Sequence, residues 1–221
     1  MNALPRPSSL STSTSPPSRW PNSRAAARPI PRPPAGRVDW AALLARVLPH
    51  VDVFLPSLDE ILFMLDRPRL DALARAGGPA ARLDDALLGD VLDELGARLL
   101  DLGTAVAVLK LGDRGLYARA TSDAARLAAM GACAPGDAAA WQGRALRVPC
   151  FRVDVRGTTG AGDCTIAGFL AGLLGGLAFE DVLTGAVGVG ACCVERPDAV
   201  SGVPAWEAVQ ARIAAGWEQV E

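Results

Sequence analysis

Apolar residues recur at helical spacing along several stretches of the chain. Between residues 83 and 102, seven apolar side chains return every three or four positions, with acidic residues on the opposite face. This spacing predicts an amphipathic helix. The same pattern predicts a helix from residue 38 up to Pro49, and another over the segment LDEILFMLD that follows shortly after Pro56.

Short apolar runs between these helices predict β-strands. The run AVAVLKLG is apolar at nearly every position, which is typical of a strand buried on both faces. Further strands are predicted in VDVFLPS, GLYAR, RALRVP and FRVDV. Residues 120–143 are predicted to be a loop, and helices are predicted over residues 162–174, 179–194 and 204–217. Strands and helices alternating at these intervals predict an α/β fold with a mostly parallel sheet.

Composition divides the chain into two parts. Residues 1–37 contain nine Pro, seven Ser and six Arg but no acidic residue, and they show no apolar period. Because such a segment cannot bury enough apolar surface to fold, it is predicted to be a disordered extension. Residues 38–221 are long enough to form one domain around a sizeable core.

Charge and residue types narrow the function classes. The net charge of −2 combines the basic first 37 residues with a remainder of about −8, which argues against nucleic acid as a partner. Five cysteines without a C-x-x-C pair and a single histidine do not match a zinc site, and they fit a reducing cytoplasm. The longest uncharged run has 16 residues and is rich in Gly, so no membrane partner is expected.

The segment TTGAGDCTIAGFL, residues 158–170, is the strongest candidate for chemistry. It follows a predicted strand and opens a predicted helix, so backbone N–H groups and the positive end of the helix dipole meet at one point. Gly160 and Gly162 let an anion approach the backbone closely, and Asp163 is placed to take a proton from an alcohol. The alternative interpretation is structural, with Asp163 complementing the dipole at a helix cap.

Two common phosphate-binding motifs do not fit this segment. A Walker A loop requires Lys and then Ser or Thr after its last Gly, whereas Gly162 is followed by Asp163 and Cys164. A dinucleotide-binding fingerprint requires a third Gly where Thr165 stands. The segment therefore pairs a carboxylate with an anion site in a different way.

The segment TTGAGDCTIAGFL resembles the C-terminal signature, D-T-x-G-A-G-D, of the PfkB or ribokinase-like carbohydrate kinases. VAVLKLGDRGLY resembles the strand and two-glycine turn that lie near the nucleotide in that family, and HVDVFLPSLDEILFML resembles its strand and N-x-x-E motif. The resemblance extends from about residue 38 to the C-terminus. It implies a ribokinase-like three-layer α/β/α fold. It also implies an ATP-dependent phosphotransferase that acts on a sugar or sugar-like hydroxyl, with ATP and Mg²⁺ as cofactors.

The resemblance also implies roles for individual residues. Asp163 is the expected general base. Gly160, Ala161 and Gly162 form the expected anion hole for the γ-phosphate. Glu60 is expected to bind Mg²⁺ indirectly, through water. The expected nucleotide contacts are Lys110, Gly112, Gly115, Thr159, Gly188 and Ala191.

The chain departs from the family pattern in two respects. Gly157 and Ser57 stand where the motifs have Asp and Asn, and Lys110 stands where Thr is common. Residues 1–37 also show no counterpart of the family's N-terminal strands, lid and Gly-Gly sugar-binding region. The sheet is therefore expected to be incomplete on its N-terminal side, with an uncovered edge that favours self-association. A second interpretation stays open, in which the chain is a truncated or degenerate relative that at most binds nucleotide and has no kinase activity.

Overall fold

The computed structural model describes residues 38–75 and 84–220. The predicted extension over residues 1–37 lies outside the described residues, and its boundary stays a prediction. The helices are α1 (Trp40–Val47), α2 (Leu58–Leu65), α3 (Arg67–Arg75), α4 (Asp85–Asp101), α5 (Ala124–Ala128), α6 (Ala138–Trp141), α7 (Ala161–Leu174), α8 (Phe179–Val194) and α9 (Trp206–Ala214). The strands are β1 (Val53–Phe54), β2 (Val106–Lys110), β3 (Leu116–Ala120) and β4 (Ala145–Val148).

The four strands form one sheet in the order β1-β2-β3-β4. Strands β1 and β2 run parallel, because three helices cross over between them. The β2–β3 and β3–β4 pairs are antiparallel, so the prediction of a mostly parallel sheet is wrong for the described strands. For β2 and β3 the reason is local: a turn of only a few residues, closed by Leu111 N–H donating to the Gly115 carbonyl at 2.9 Å, can only join antiparallel neighbours.

The sheet separates two layers of apolar packing. Along β2, Val106 and Val108 point into a core shared with α7 and α8, whereas Ala107 and Leu109 point into a core shared with α1, α2 and α4. All four side chains are fully buried, which confirms the prediction of a strand covered on both faces. The fold is therefore an α/β/α arrangement of three layers.

Helices α7 and α8 pack closely because glycines line their contact. A Cβ atom at Gly168 would lie 2.9 Å from the Ala186 Cα, and one at Gly172 would lie 3.2 Å from the Val182 Cα. A side chain at either position would push the helices apart. This contact fixes the beginning of α7, and with it the GAGD segment, relative to α8.

Two local predictions are wrong. FRVDV does not form a strand: Phe151 makes one isolated bridge with Gln219, and its ring stacks on Trp217 with the centroids 4.4 Å apart. Residues 120–143 are not a plain loop, since they contain α5 and α6. Asp123 and Asp137 cap these short helices by accepting hydrogen bonds from backbone N–H groups.

Among the described residues, none of the helices combines the length and apolar character needed to cross a membrane.

Candidate active site

Gly160 begins α7 in a conformation that favours glycine. Its φ of +81° lies in the left-handed region, and a Cβ atom there would lie 2.6 Å from the Ala199 carbonyl oxygen. Ala161 N–H donates to the Thr158 carbonyl, and Cys164 N–H donates to the Gly160 carbonyl. Gly160 has no side chain to cap the helix, so the N–H groups of Gly162 and Asp163 have no acceptor among the described residues.

Asp163 lies in the first turn of α7 with its side chain exposed. It makes no hydrogen bond or ion pair with any described residue, whereas its neighbour Cys164 is buried. The carboxylate therefore stands in solvent beside open amides. This geometry leaves room for a hydroxyl-bearing ligand at Asp163 and for an anion at the amides.

Lys110, at the end of β2, reaches the same point from the sheet. Its Nζ lies 3.5 Å, and its Cδ 3.8 Å, from the position that a Cβ atom would occupy on Gly162. The backbone of Lys110 is held by its N–H, which donates to the Pro56 carbonyl at 3.0 Å, and by a parallel bridge with Ser57. The structure thus brings together Lys110 and Gly162, which are 52 positions apart in the sequence.

Glu60 lies at the beginning of α2, close enough for the charge of Lys110 to act on it. Its Oε2 accepts a hydrogen bond from Ser57 N–H at 2.6 Å, and its own N–H donates to the Ser57 Oγ at 3.2 Å, which completes a capping box. The backbone hydrogen bond from Ser57 lowers the pKa of Glu60, with smaller contributions from the Ser57 side chain and Lys110, against the effect of partial burial. Glu60 is therefore anionic at neutral pH.

The neighbourhood of Glu60 does not form a complete metal cage. Among the described residues there is no group of three or more His, Cys, Asp or Glu side chains that could hold a metal ion. One Glu60 oxygen accepts the capping hydrogen bond, and the other has no hydrogen-bond partner among the described residues. The neighbouring Asp59 is exposed, and partial burial and the charge of Glu60 raise its pKa. Both acids border a mostly apolar cleft of about 490 Å³.

The segment that follows α8 packs against the GAGD turn. The Ala199 carbonyl accepts hydrogen bonds from the buried Cys164 and Cys193 thiols at 3.4 and 3.1 Å. Burial, together with Cys164, raises the pKa of Cys193 to about 11, so this thiol stays protonated at neutral pH. Nothing in the sequence pattern pointed to Ala199, because its contact with Gly160 joins positions far apart in the chain.

The same segment also packs against Gly157, which therefore tolerates no side chain in this structure. A Cβ atom there would lie 2.9 Å from the Pro197 Cα and carbonyl oxygen. Arg156 N–H donates to the Val194 carbonyl at 2.8 Å, which holds the loop against the end of α8. An open cleft of about 580 Å³ adjoins this loop, and it is lined by Asp154, Arg156, Glu195, Arg196 and Pro197.

The predicted nucleotide contacts fall into two groups. Gly112 and Gly115 bound the turn after β2. Gly115, at φ +92°, needs to be glycine because a Cβ atom would lie 1.9 Å from the Val148 carbonyl oxygen. The exposed Gly112 has open space around it, and its carbonyl accepts from the Cys150 thiol at 3.3 Å. This turn directly follows Lys110 in the chain.

The other predicted contacts lie on or near α8. Thr159 is exposed in the turn before α7, and its carbonyl accepts weakly from the Cys193 thiol. Gly188 is buried beneath α9, within 3.0 Å of Val209 and Ile213 atoms if it carried a Cβ, and Ala191 lies in the main core. The structure therefore gathers Glu60, Lys110 and the GAGD turn, while Gly188 and Ala191 contribute packing and their nucleotide role stays a prediction.

Sequence comparison identifies the class of protein to which this site belongs. The profile of the pfkB family carbohydrate kinases matches residues 22–206, which is most of the chain. The chain therefore belongs to the pfkB family of carbohydrate kinases. A search of curated protein sequences finds no significant match.

Solved structures with the same fold include three sugar or nucleoside kinases. Ribokinase from Cryptococcus neoformans var. grubii serotype A, in complex with ADP, is 21% identical with a TM-score of 0.51, over 78% of this chain and 48% of that one. Ribokinase from Arabidopsis thaliana, complexed with ribose and ATP, is 18% identical with a TM-score of 0.52, over 76% and 42%. Aminoimidazole riboside kinase from Salmonella enterica, complexed with aminoimidazole riboside and an ATP analog, is 20% identical with a TM-score of 0.50, over 77% and 45%.

These similarities establish a ribokinase-like α/β fold, as the sequence predicted. The chain spans less than half the length of these solved structures.

Proposed function

We propose that the chain is the nucleotide-binding and catalytic part of an ATP-dependent carbohydrate kinase, which transfers the γ-phosphate of ATP to a hydroxyl of a sugar or similar alcohol. The observation that supports this most directly is the exposure of Asp163 next to N–H groups of α7 that have no acceptor among the described residues. Membership of the pfkB family supports the same reaction. Together they favour catalysis over a purely structural role for Asp163.

In the proposed reaction, Asp163 takes the proton of the acceptor hydroxyl as the hydroxyl oxygen attacks the γ-phosphorus. A new O–P bond forms, the bond between the γ-phosphorus and the β–γ bridging oxygen breaks, and ADP leaves with that oxygen. The Gly160–Gly162 turn forms the anion hole, where backbone N–H groups stabilise the negative charge on the transferred group. These N–H groups need no rearrangement, because α7 is fixed against α8.

The remaining nucleotide contacts are proposed at the turn after β2 and beside the GAGD segment. They comprise Lys110, Gly112, Gly115, Thr159, Gly188 and Ala191. Glu60 is proposed to act on Mg²⁺ through water, and the ion, when bound, neutralises phosphate charge. The acidic domain and its few cysteines fit a small-molecule substrate in the cytoplasm, without nucleic acid.

A second candidate function is nucleotide binding without kinase activity. It is favoured by Gly157 and Ser57, which stand where the family motifs have Asp and Asn. Phosphoryl transfer depends on precise positioning of metal and phosphate, so a site without these two side chains could bind the nucleotide and still be inactive. The two candidates differ in whether phosphate reaches a sugar.

The experiment compares the wild-type chain with the Asp163→Asn variant on a panel of sugars and nucleosides with Mg-ATP. We expect the substitution to lower the rate of sugar phosphorylation by about a hundredfold or more, because the base is lost. Asp181→Asn is the matched control, since Asp181 is also an exposed acid in the first turn of a helix. Equal rates for wild type and Asp163→Asn would refute the assignment. ATP binding by calorimetry without phosphorylation would support the second candidate.

A further inference from the structure

Lys110 is the only lysine among the 22 basic residues of the chain, and all the others are arginines. An ammonium group is a compact charge with three donors, and it suits a single phosphate oxygen better than the broad, planar guanidinium does. The one ammonium side chain of the protein thus ends beside Gly162, at the proposed anion hole.

The charge of Lys110 is not neutralised by a carboxylate in the described part of the chain. Ten arginines form ion pairs within 4.0 Å there, whereas Lys110 forms none. Glu60 is the acid on which its charge acts, but Glu60 already accepts a hydrogen bond from Ser57. Lys110 is also partly buried, so water screens its charge less than that of a surface lysine.

The position of Lys110 favours a bound anion. The beginning of a helix carries a positive partial charge, and the ammonium group lies close to it at Gly162. An anion placed between these two positive groups would be attracted by both. The parallel bridge to Ser57 and the hydrogen bond to Pro56 fix the backbone from which the side chain extends.

We infer that the Lys110 ammonium group binds the terminal phosphate of the nucleotide directly, together with the N–H groups of Gly162 and Asp163. This inference rests on the proposed function. It means that a positively charged side chain of the protein, and not only a metal ion, contacts the γ-phosphate of ATP. Lys110 holds the phosphoryl oxygens while the γ-phosphorus passes from the bridging oxygen to the acceptor oxygen. The protein is therefore expected to bind the triphosphate group of ATP without Mg²⁺, although more weakly than with it.

The single lysine makes this inference directly observable. Protein labelled with ¹³C-lysine contains one lysine ε-carbon, so its ¹H–¹³C spectrum reports on Lys110 alone. Sodium tripolyphosphate without metal, and separately Mg-ATP, are titrated into the full chain while calorimetry measures binding. The Lys110 signal is expected to shift and saturate with both ligands at the affinity that calorimetry gives, and adenosine is expected to leave it unchanged.

A second experiment measures tripolyphosphate binding to substituted variants. Lys110→Met is expected to weaken tripolyphosphate binding about ten- to a hundredfold, because a charge-assisted hydrogen bond is lost. Arg152→Met is the matched control, since Arg152 is an exposed basic residue that pairs with Glu218. Circular dichroism checks that each variant is folded, and the ¹³C titration of the wild type needs no variant at all.

The outcomes separate this inference from the proposed function. If ATP binds by calorimetry while the Lys110 signal stays fixed, or if Lys110→Met binds tripolyphosphate as tightly as Arg152→Met does, the role of Lys110 is wrong and the kinase proposal survives. If neither ATP nor tripolyphosphate binds at all, both proposals are wrong.

Discussion

Gly160 and Gly162 are two residues apart but serve different purposes. Gly160 combines a φ of +81° with close contact to Ala199, so Gly160→Ala is expected to lower the free energy of unfolding by about 1–3 kcal/mol. Gly162 has helical geometry, and a Cβ atom there would make ordinary van der Waals contact with Lys110, at 3.5 Å from Nζ and 3.8 Å from Cδ. Gly162→Ala is therefore expected to leave stability unchanged or to raise it by up to about 1 kcal/mol.

ATP binding is expected to be weakened by Gly162→Ala, the variant that keeps its stability. A methyl group on Gly162 fills the space between the helix amides and the Lys110 Nζ, so ATP binding to Gly162→Ala is expected to weaken about tenfold or more. Urea unfolding and calorimetry measure the two effects. Equal losses of stability in both variants would show that the turn does not have the geometry described.

At the scale of elements, much of the fold could be predicted because its signals are local and regular. The stripe of leucines in α4 follows one period, the run of β2 is apolar at nearly every position, and both form as expected. FRVDV failed because Phe151 packs on Trp217, a contact that no local pattern reveals. The caps at Asp123 and Asp137 were present in the sequence and indicate α5 and α6.

The candidate site shows the same division. The GAGD turn could be predicted because its glycines and the apolar helix that follows lie together in the sequence, although the strand predicted before it does not form. Its assembly with Lys110 and Ala199 could not, because these contacts join the end of β2 and the segment after α8 to the start of α7. The antiparallel direction of β3, in contrast, could have been predicted, because only Asp113 and Arg114 separate the predicted strands AVAVLKLG and GLYAR, a link too short for a parallel crossover.

Helices α8 and α9 are joined by an ion pair that depends on pH. Arg212 donates two hydrogen bonds to Glu195, at 2.7 and 2.8 Å, and these hydrogen bonds lower the pKa of Glu195 below its ordinary value of 4.5. A carboxyl group whose pKa is lower in the folded chain stabilises the fold at pH values above its pKa in the unfolded chain. This contribution is lost as the pH falls through its pKa in the folded chain. Glu195→Gln is expected to cost about 0.5–1 kcal/mol at pH 7, since the pair is partly exposed, and almost nothing near pH 2.

Urea unfolding of wild type and Glu195→Gln at both pH values measures this difference. Glu207→Gln is the control, because Glu207 is exposed on α9 and forms no ion pair with a described residue. A cost for Glu195→Gln that is the same at both pH values would indicate a packing effect rather than the ion pair.

At the scale of the whole molecule, the sheet ends at a strand with one free side. Strand β1 pairs only with β2 among the described strands, and Val53 and Phe54 are only partly buried. Helix α7, which packs on one face of the sheet, exposes Ala167, Leu170 and Leu174 in one stripe, with Leu174 65% exposed. An unpaired strand edge and an exposed apolar stripe both favour association between chains.

The chain is therefore expected to self-associate as its concentration rises, which sedimentation velocity over a concentration series would detect. Leu174→Arg is expected to shift the distribution towards monomer, because a charge in the stripe is costly to bury. Leu87→Arg is the matched control, since Leu87 is 49% exposed on α4, the helix that covers the other face of the sheet. If the wild type stays monomeric at every concentration, or if both variants change the distribution equally, the β1 edge and the α7 stripe are not the surface through which chains associate.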